Sequence, residues 1–247
     1  MQHRHPVMGN GLARLITRKW TTFHHDPLGS LRNQVSRIIP WLLRGWAGHQ
    51  LRQHGALDVL LTFHAARPSG ANFADLTDLW FLYRMIRQRK PRTLLEFGSG
   101  CSTVILAQAL WNNQCHSADR GGYLYSIDAD PYWADATAKA MPAHLQKFCR
   151  VVYGPFLEVE HAGTLGSQHA NIPDIAPNFL YLDEPSPTCR RMDILNMEDK
   201  FPEDFYMVID DRQKDTAFLK GNLRRQYRFN RRYRGYFIRT QIFELIP

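Results

Sequence analysis

From residue 91 to residue 226 the chain repeats one pattern: a short apolar run, a turn, then a stretch with apolar residues at helical spacing. The apolar runs fall at 93–97, 123–127, 150–153, 178–182 and 205–209, each bounded by Gly, Pro or Asp. Runs so short and so continuously apolar predict strands buried on both faces of a sheet. Helical spacing lies between most of them, at 103–111, 132–140, 189–199 and 216–225. The alternation predicts an α/β fold: a doubly wound, mostly parallel, Rossmann-like sheet with right-handed crossovers. The tail, 227–246, alternates about Gly235 and predicts a C-terminal β-hairpin that finishes the sheet. Residues 157–177, with their Gly, His and Pro, read as a loop that covers the site.

Upstream of the repeat, 74–89 predicts one helix. Leu76, Leu79, Trp80, Tyr83 and Ile86 share a face, and Pro91 stops it. Residues 31–43 and 51–64 also have helical spacing, interrupted by Pro40, Gly45 and Gly48. The expected organisation is a helical N-terminal extension over 1–70 and one domain over 71–247. The basic stretch 41–46, with Trp41 and Trp46, is expected to pack on the core rather than lie on a membrane surface.

Charge changes this picture at the margins. The net charge is +8, but residues 1–67 carry nine Lys/Arg against two acids and residues 212–247 ten against two. The stretch between holds twelve basic and nineteen acidic residues, an acidic centre between basic ends. Solvated basic surface accounts for charge of this kind on its own. No run of about 18 apolar residues offers a transmembrane segment, and residues 1–19 lack the apolar core of a secretory signal. A cytoplasmic protein is the expectation. The four cysteines are far apart, without zinc or disulfide spacing, and the eleven histidines form no ligand set.

The chemistry starts at the first strand. Leu94-Leu95-Glu96-Phe97-Gly98-Ser99-Gly100-Cys101-Ser102-Thr103 joins a strand to a helix through two glycines. Glycines there permit a sharp turn and let a ligand approach the backbone. Hydroxyls at the helix entry cap amides that point at any ligand. The next strand ends Tyr125-Ser126-Ile127-Asp128, with Ala129-Asp130-Pro131 opening a helix. Asp128 is placed to accept the ribose hydroxyls of an adenosine-containing cofactor, while Asp130 before Pro131 fits a helix cap. A nicotinamide site prefers Gly-x-Gly-x-x-Gly, and Thr103 stands at its last position.

These two segments resemble the first two motifs of class I S-adenosylmethionine-dependent methyltransferases, over about residues 92–211. The resemblance implies a Rossmann-like methyltransferase fold, S-adenosylmethionine as cofactor, and Glu96, Gly98, Ser99, Gly100, Ser102 and Asp128 as its binding residues. Ser102 replaces the third glycine of the common motif, as in branches with a Gly-Ser-Gly-x-Ser-Thr loop.

Two further strands end in acids: Asp183-Glu184-Pro185 and Asp210-Asp211-Arg212. The carboxyl ends of adjacent parallel strands face one crevice, so Asp183, Asp210 and Asp211 are expected to converge. Carboxylates that close repel unless a cation or protons intervene, and Mg2+ or another divalent cation such as calcium suits an all-oxygen site. Catechol-type and some sugar-modifying methyltransferases are similar at these positions. The metal-free alternative makes Asp183 or Asp210 the general base, with Arg212 pairing an acid or an anionic substrate.

The expected activity is therefore O-methylation of a hydroxyl on a small molecule or carbohydrate, including an anionic one. The arginine-rich end (Arg224, Arg225, Arg228, Arg231, Arg232, Arg234 and Arg239), interleaved with aromatics, leaves methylation of RNA or another polyanion as an alternative. A non-catalytic nucleotide-binding α/β protein is the other.

Overall fold

A computed structural model describes residues 27–115, 121–161, 163–234 and 237–246, with side chains from residue 39 onward except 233–239. The chain divides into two compact units, 1–45 and 46–247. Helix α1 (Pro27–Gln53) contains the boundary. It runs through Pro40, Gly45 and Gly48, and the break falls instead at Gly55, whose φ of 69° is left-handed. Ile39, Trp41, Leu42 and Leu43 are exposed, Trp41 by 72%. The expected packing of 41–46 on a core is not seen: all six residues are exposed, Trp46 meets Trp80 edge-on at 6.0 Å, and full burial begins with Ala47 and Leu51.

In the larger unit, α2 (Ala56–Ala65) buries Ala56, Leu57, Leu60 and Phe63, a stripe at helical spacing. Helix α3 (Leu76–Arg89) buries Leu79, Leu82, Tyr83 and Ile86. The Asp75 carboxylate caps it by accepting from the Thr77 amide at 2.9 Å. Strand β1 (Thr93–Phe97) leads into α4 (Cys101–Cys115), which packs against α2, α3 and the sheet. A helix apolar on every side must be covered on every side, and α4 is buried along most of its length.

The expected alternation follows: β2 (Tyr123–Asp128), α5 (Pro131–Ala140), β3 (Cys149–Tyr153), β6 (Phe179–Leu182), α6 (Met192–Met197), β7 (Tyr206–Asp210), α7 (Gln213–Asn222). Asp130 caps α5 through the Tyr132 amide at 2.8 Å, with Pro131 in the first turn. Helix α6 starts later than the expected 189 because Cys189 sits at φ 53°, outside helical geometry. Finally β8 (Tyr227–Arg234) and β9 (Phe237–Leu245) form the expected antiparallel hairpin, its Gly235 turn lying outside the described residues.

The seven-stranded sheet has the order β3-β2-β1-β6-β7-β9-β8. The first five strands are parallel, and β9 runs antiparallel to β7. Successive residues of β1 serve opposite faces: Leu94 joins the core with α2, α3 and α4, and Leu95 and Phe97 join the core with α6. Burial on both faces is why these strands are apolar throughout.

One expectation is corrected. Most of 157–177 is not loop but a separate hairpin, β4 (Phe156–His161) and β5 (Thr164–His169), turning at Gly163 with φ 76°. It packs against α6.

Candidate active site

The strand order reverses between β1 and β6, whose carboxyl ends flank a topological switch point where open α/β sheets bind ligands. A cavity of about 510 Å³ opens there. The β1–α4 loop forms its floor: Gly98, Ser99, Gly100 and Ser102 all line it. Gly98 has φ 96°, and a Cβ on it would lie 3.0 Å from the Glu184 Cβ. A side chain there would be both strained and crowded.

The strand ends are tied together by backbone bonds. The Gly98 amide donates to the Ile127 carbonyl at 2.7 Å, and the Asp183 and Glu184 amides both donate to the Phe97 carbonyl. Side chains complete the framework. The Ser99 hydroxyl and amide donate to one oxygen of Asp128, at 2.5 and 3.0 Å, while the Asp130 amide donates to the other. Asp128 thus fastens the loop to the end of β2 and still lines the cavity. Glu184, which also lines it, accepts from the Ala129 amide at 3.0 Å.

Glu96 differs from the other expected cofactor residues. It is fully buried beneath the loop and is not among the cavity-lining residues. The Gly100 amide donates to the Thr103 hydroxyl at 2.8 Å, which donates to Glu96 at 2.7 Å. Burial raises the Glu96 carboxyl to about 7. The hydroxyls of Ser102, Ser126 and Thr103 oppose that rise, Asp183 adds to it, and of the three Thr103 makes the well-formed bond.

The catalytic candidates are brought together in part. Asp183 and Asp210 both line the cavity, whereas Asp211 does not: it is exposed, in the left-handed region at φ 44°. Among the described residues no three His, Cys, Asp or Glu side chains are grouped to hold a metal ion. Of the three aspartates expected to hold a divalent cation, the cavity lining includes Asp183 and Asp210. Arg212 lines the cavity and donates to the Asp183 carbonyl from Nε and Nη2, at 2.9 and 2.5 Å, with its Asp183 carboxylate contact at 3.8 Å. It ties the end of β6 to the end of β7.

Several lining residues carried no sequence signal of their own: Arg67, Asn72, Asp75, Asp78, Trp133 and Tyr181. Only strand-end position could have pointed to Tyr181, two residues before Asp183. It is 4% exposed, and burial first, then the charges of Asp183, Asp210, Glu96 and Asp78, push its hydroxyl well above the usual tyrosine range. It remains a proton donor beside carboxylates. Burial also raises the Cys101 thiol, consistent with a small filler at the helix start rather than a nucleophile.

Among the described side chains, none from the arginine-rich end lines the cavity, and most of them are paired. Arg224 meets Glu198 and Asp199, Arg228 meets Glu244, and Arg232 meets Asp78 at 2.6 Å while stacking over Phe81. The side chains of Arg234 and Arg239 lie outside those described.

Sheet order, switch-point cavity and glycine loop together define the fold of class I S-adenosylmethionine-dependent methyltransferases. Solved structures agree. A Staphylococcus aureus protein assigned as a caffeoyl-CoA O-methyltransferase matches with TM-score 0.54 and 12% identity, over 80% of this chain and 96% of that one. A Klebsiella pneumoniae protein assigned as an O-methyltransferase matches with TM-score 0.52 and 16% identity, over 77% and 89%. An S-adenosylhomocysteine-bound methyltransferase of Podospora anserina matches with TM-score 0.50 and 12% identity, over 77% and 87%. At these identities the likeness is one of fold. No family profile and no curated protein matches the chain.

Proposed function

We propose that this protein is an S-adenosylmethionine-dependent methyltransferase that methylates a hydroxyl of a small molecule or carbohydrate. The observation that carries the reading is one cavity at the switch point, holding the Ser99–Asp128 pair and the strand-end acids Asp183 and Asp210 together. Gly98 and Gly100 leave the loop backbone bare for a ligand, and Asp128 is a carboxylate at ribose-binding position. Six carboxylates line the cavity (Asp75, Asp78, Asp128, Asp183, Glu184 and Asp210) against Arg67 and Arg212. An acidic wall suits a ligand bearing a positive sulfonium.

The bound cofactor supplies an electrophilic methyl group. The acceptor oxygen forms a bond to that methyl carbon as the carbon–sulfur bond breaks, and the electron pair of the broken bond stays on sulfur. Asp183 or Asp210 takes the acceptor's proton as general base. Tyr181, kept protonated, donates a hydrogen bond that orients the acceptor. Arg212 holds the Asp183 segment in place, so positioning supplies much of the effect. The acidic majority favours an uncharged acceptor or one whose anionic group meets Arg212.

Isothermal titration with S-adenosylhomocysteine tests the core of this reading. Binding with micromolar affinity is expected, and no binding at millimolar ligand would overturn it. Activity on hydroxyl-bearing acceptors is expected to survive exhaustive chelation.

A further inference from the structure

The cavity has one positive corner. Arg67 follows α2 and its guanidinium reaches the start of α4: a Cβ on Gly100 would lie 3.5 Å from Nη1 and 3.8 Å from Nη2. The guanidinium therefore stands just off the loop backbone, and both residues line the cavity. The same guanidinium sits 5.5 Å from the ring centres of both Phe63 and Trp133, which flank it with aromatic faces. Its Nε is buried without a hydrogen-bond partner. Among the described residues Arg67 forms no ion pair, although six carboxylates line the same cavity.

A donor fork held by aromatic side chains and withheld from nearby acids is built for an anion that arrives from outside. The amino end of the 15-residue helix α4, which starts at Cys101, adds partial positive charge at the same corner. Across the cavity stand Asp183 and Asp210. The charge pattern has two poles, and a zwitterion fits it in one orientation: carboxylate toward Arg67, cationic groups toward the acids.

Resting on the methyltransferase reading, we infer that Arg67 binds the carboxylate of the cofactor's methionine portion and thereby sets the direction in which the sulfonium faces Asp183 and Asp210. It is a binding residue for the carboxylate and a positioning residue for methyl transfer.

The test compares two probes by calorimetry: S-adenosylhomocysteine and S-adenosyl-3-thiopropylamine, the same molecule without its carboxylate. The wild-type protein is expected to prefer the carboxylate-bearing probe by about 10- to 100-fold, the range for a hydrogen bond to a charged group. Arg67→Gln is expected to abolish that preference while leaving the amine probe within about threefold of its wild-type affinity, and Arg67→Lys to restore part of it. Equal weakening of both probes in Arg67→Gln would overturn the assignment in favour of a packing role against Trp133 and Phe63. So would a wild-type protein that binds both equally. Failure of the wild type to bind either probe would instead overturn the cofactor reading itself.

Discussion

Glu96 accepts a hydrogen bond from the Thr103 hydroxyl at 2.7 Å, joining the end of strand β1 to the first turn of α4 from beneath the glycine loop. The carboxyl is fully buried and its pKa is raised to about 7. It lies beneath the loop, outside the cavity lining, with Oε1 buried and without a hydrogen-bond partner.

The raised value sets how the fold responds to pH. Between the ordinary carboxyl value of 4.5 and about 7 the folded protein holds a proton that the unfolded chain releases. Stability from this group is full below pH 4.5, falls as pH rises, and is lost once pH passes about 7. The shift corresponds to on the order of 3 kcal/mol. Glu96→Gln should flatten the decline between pH 5 and 8. Chemical denaturation across that range checks it, and an unchanged slope in the variant would exclude Glu96 as the source.

Gly98→Ala should destabilise by about 2–4 kcal/mol, combining left-handed strain with crowding against Glu184. For a chain of this size that is a fall in melting temperature of about 4–16 °C. Gly163→Ala, equally left-handed but with no atom near its Cβ position, should show the strain alone and a smaller fall.

Arg191 and Asp193 are both fully buried and paired through two hydrogen bonds, at 3.0 and 2.7 Å, with the guanidinium over Phe97 at 4.6 Å. Arg191→Leu leaves the Asp193 charge uncompensated and should cost about 3–5 kcal/mol. Arg191→Leu combined with Asp193→Asn should recover part of the loss in a double-mutant cycle. Additive losses would mean the two act independently.

Asp183→Asn and Asp210→Asn separate the two base candidates. Loss of the base should lower the rate of methyl transfer by about 100- to 10,000-fold. The other substitution should cost far less in rate, even where it weakens S-adenosylhomocysteine binding. Single-turnover rates measured with titrations distinguish them. If both variants retain full rate, neither aspartate is the base.

The features that could be read from sequence share a physical cause. Strand β1 has the bounds read from its apolar run because both its faces are buried, which leaves no polar residue to blur the signal. Asp130 reads as a cap because a helix start has unmet amides only a short acceptor can reach. The β4–β5 hairpin was hidden by its glycines. Gly166 is not a loop glycine: a Cβ there would meet the Met192 side chain at 2.5 Å, so its smallness serves packing against α6. Arg67 was illegible for another reason. It is one arginine among many, and only the chain's path around α4 brings it to Gly100. Of the three aspartates at adjacent strand ends, Asp183 and Asp210 line the cavity, while Asp211, itself left-handed after β7, is exposed, a backbone departure that the apolar pattern does not encode.

Strand β8 lies at a border of the sheet, next to β9. A border strand offers its outer amides and carbonyls to any chain that can extend the sheet. Arg228, Arg231 and Arg232 stand along this one. Charged side chains along a border strand disfavour edge-to-edge pairing with another chain. Residues that look from sequence like a landing strip for a polyanion thus sit on a sheet edge, where charge also discourages a further strand from joining.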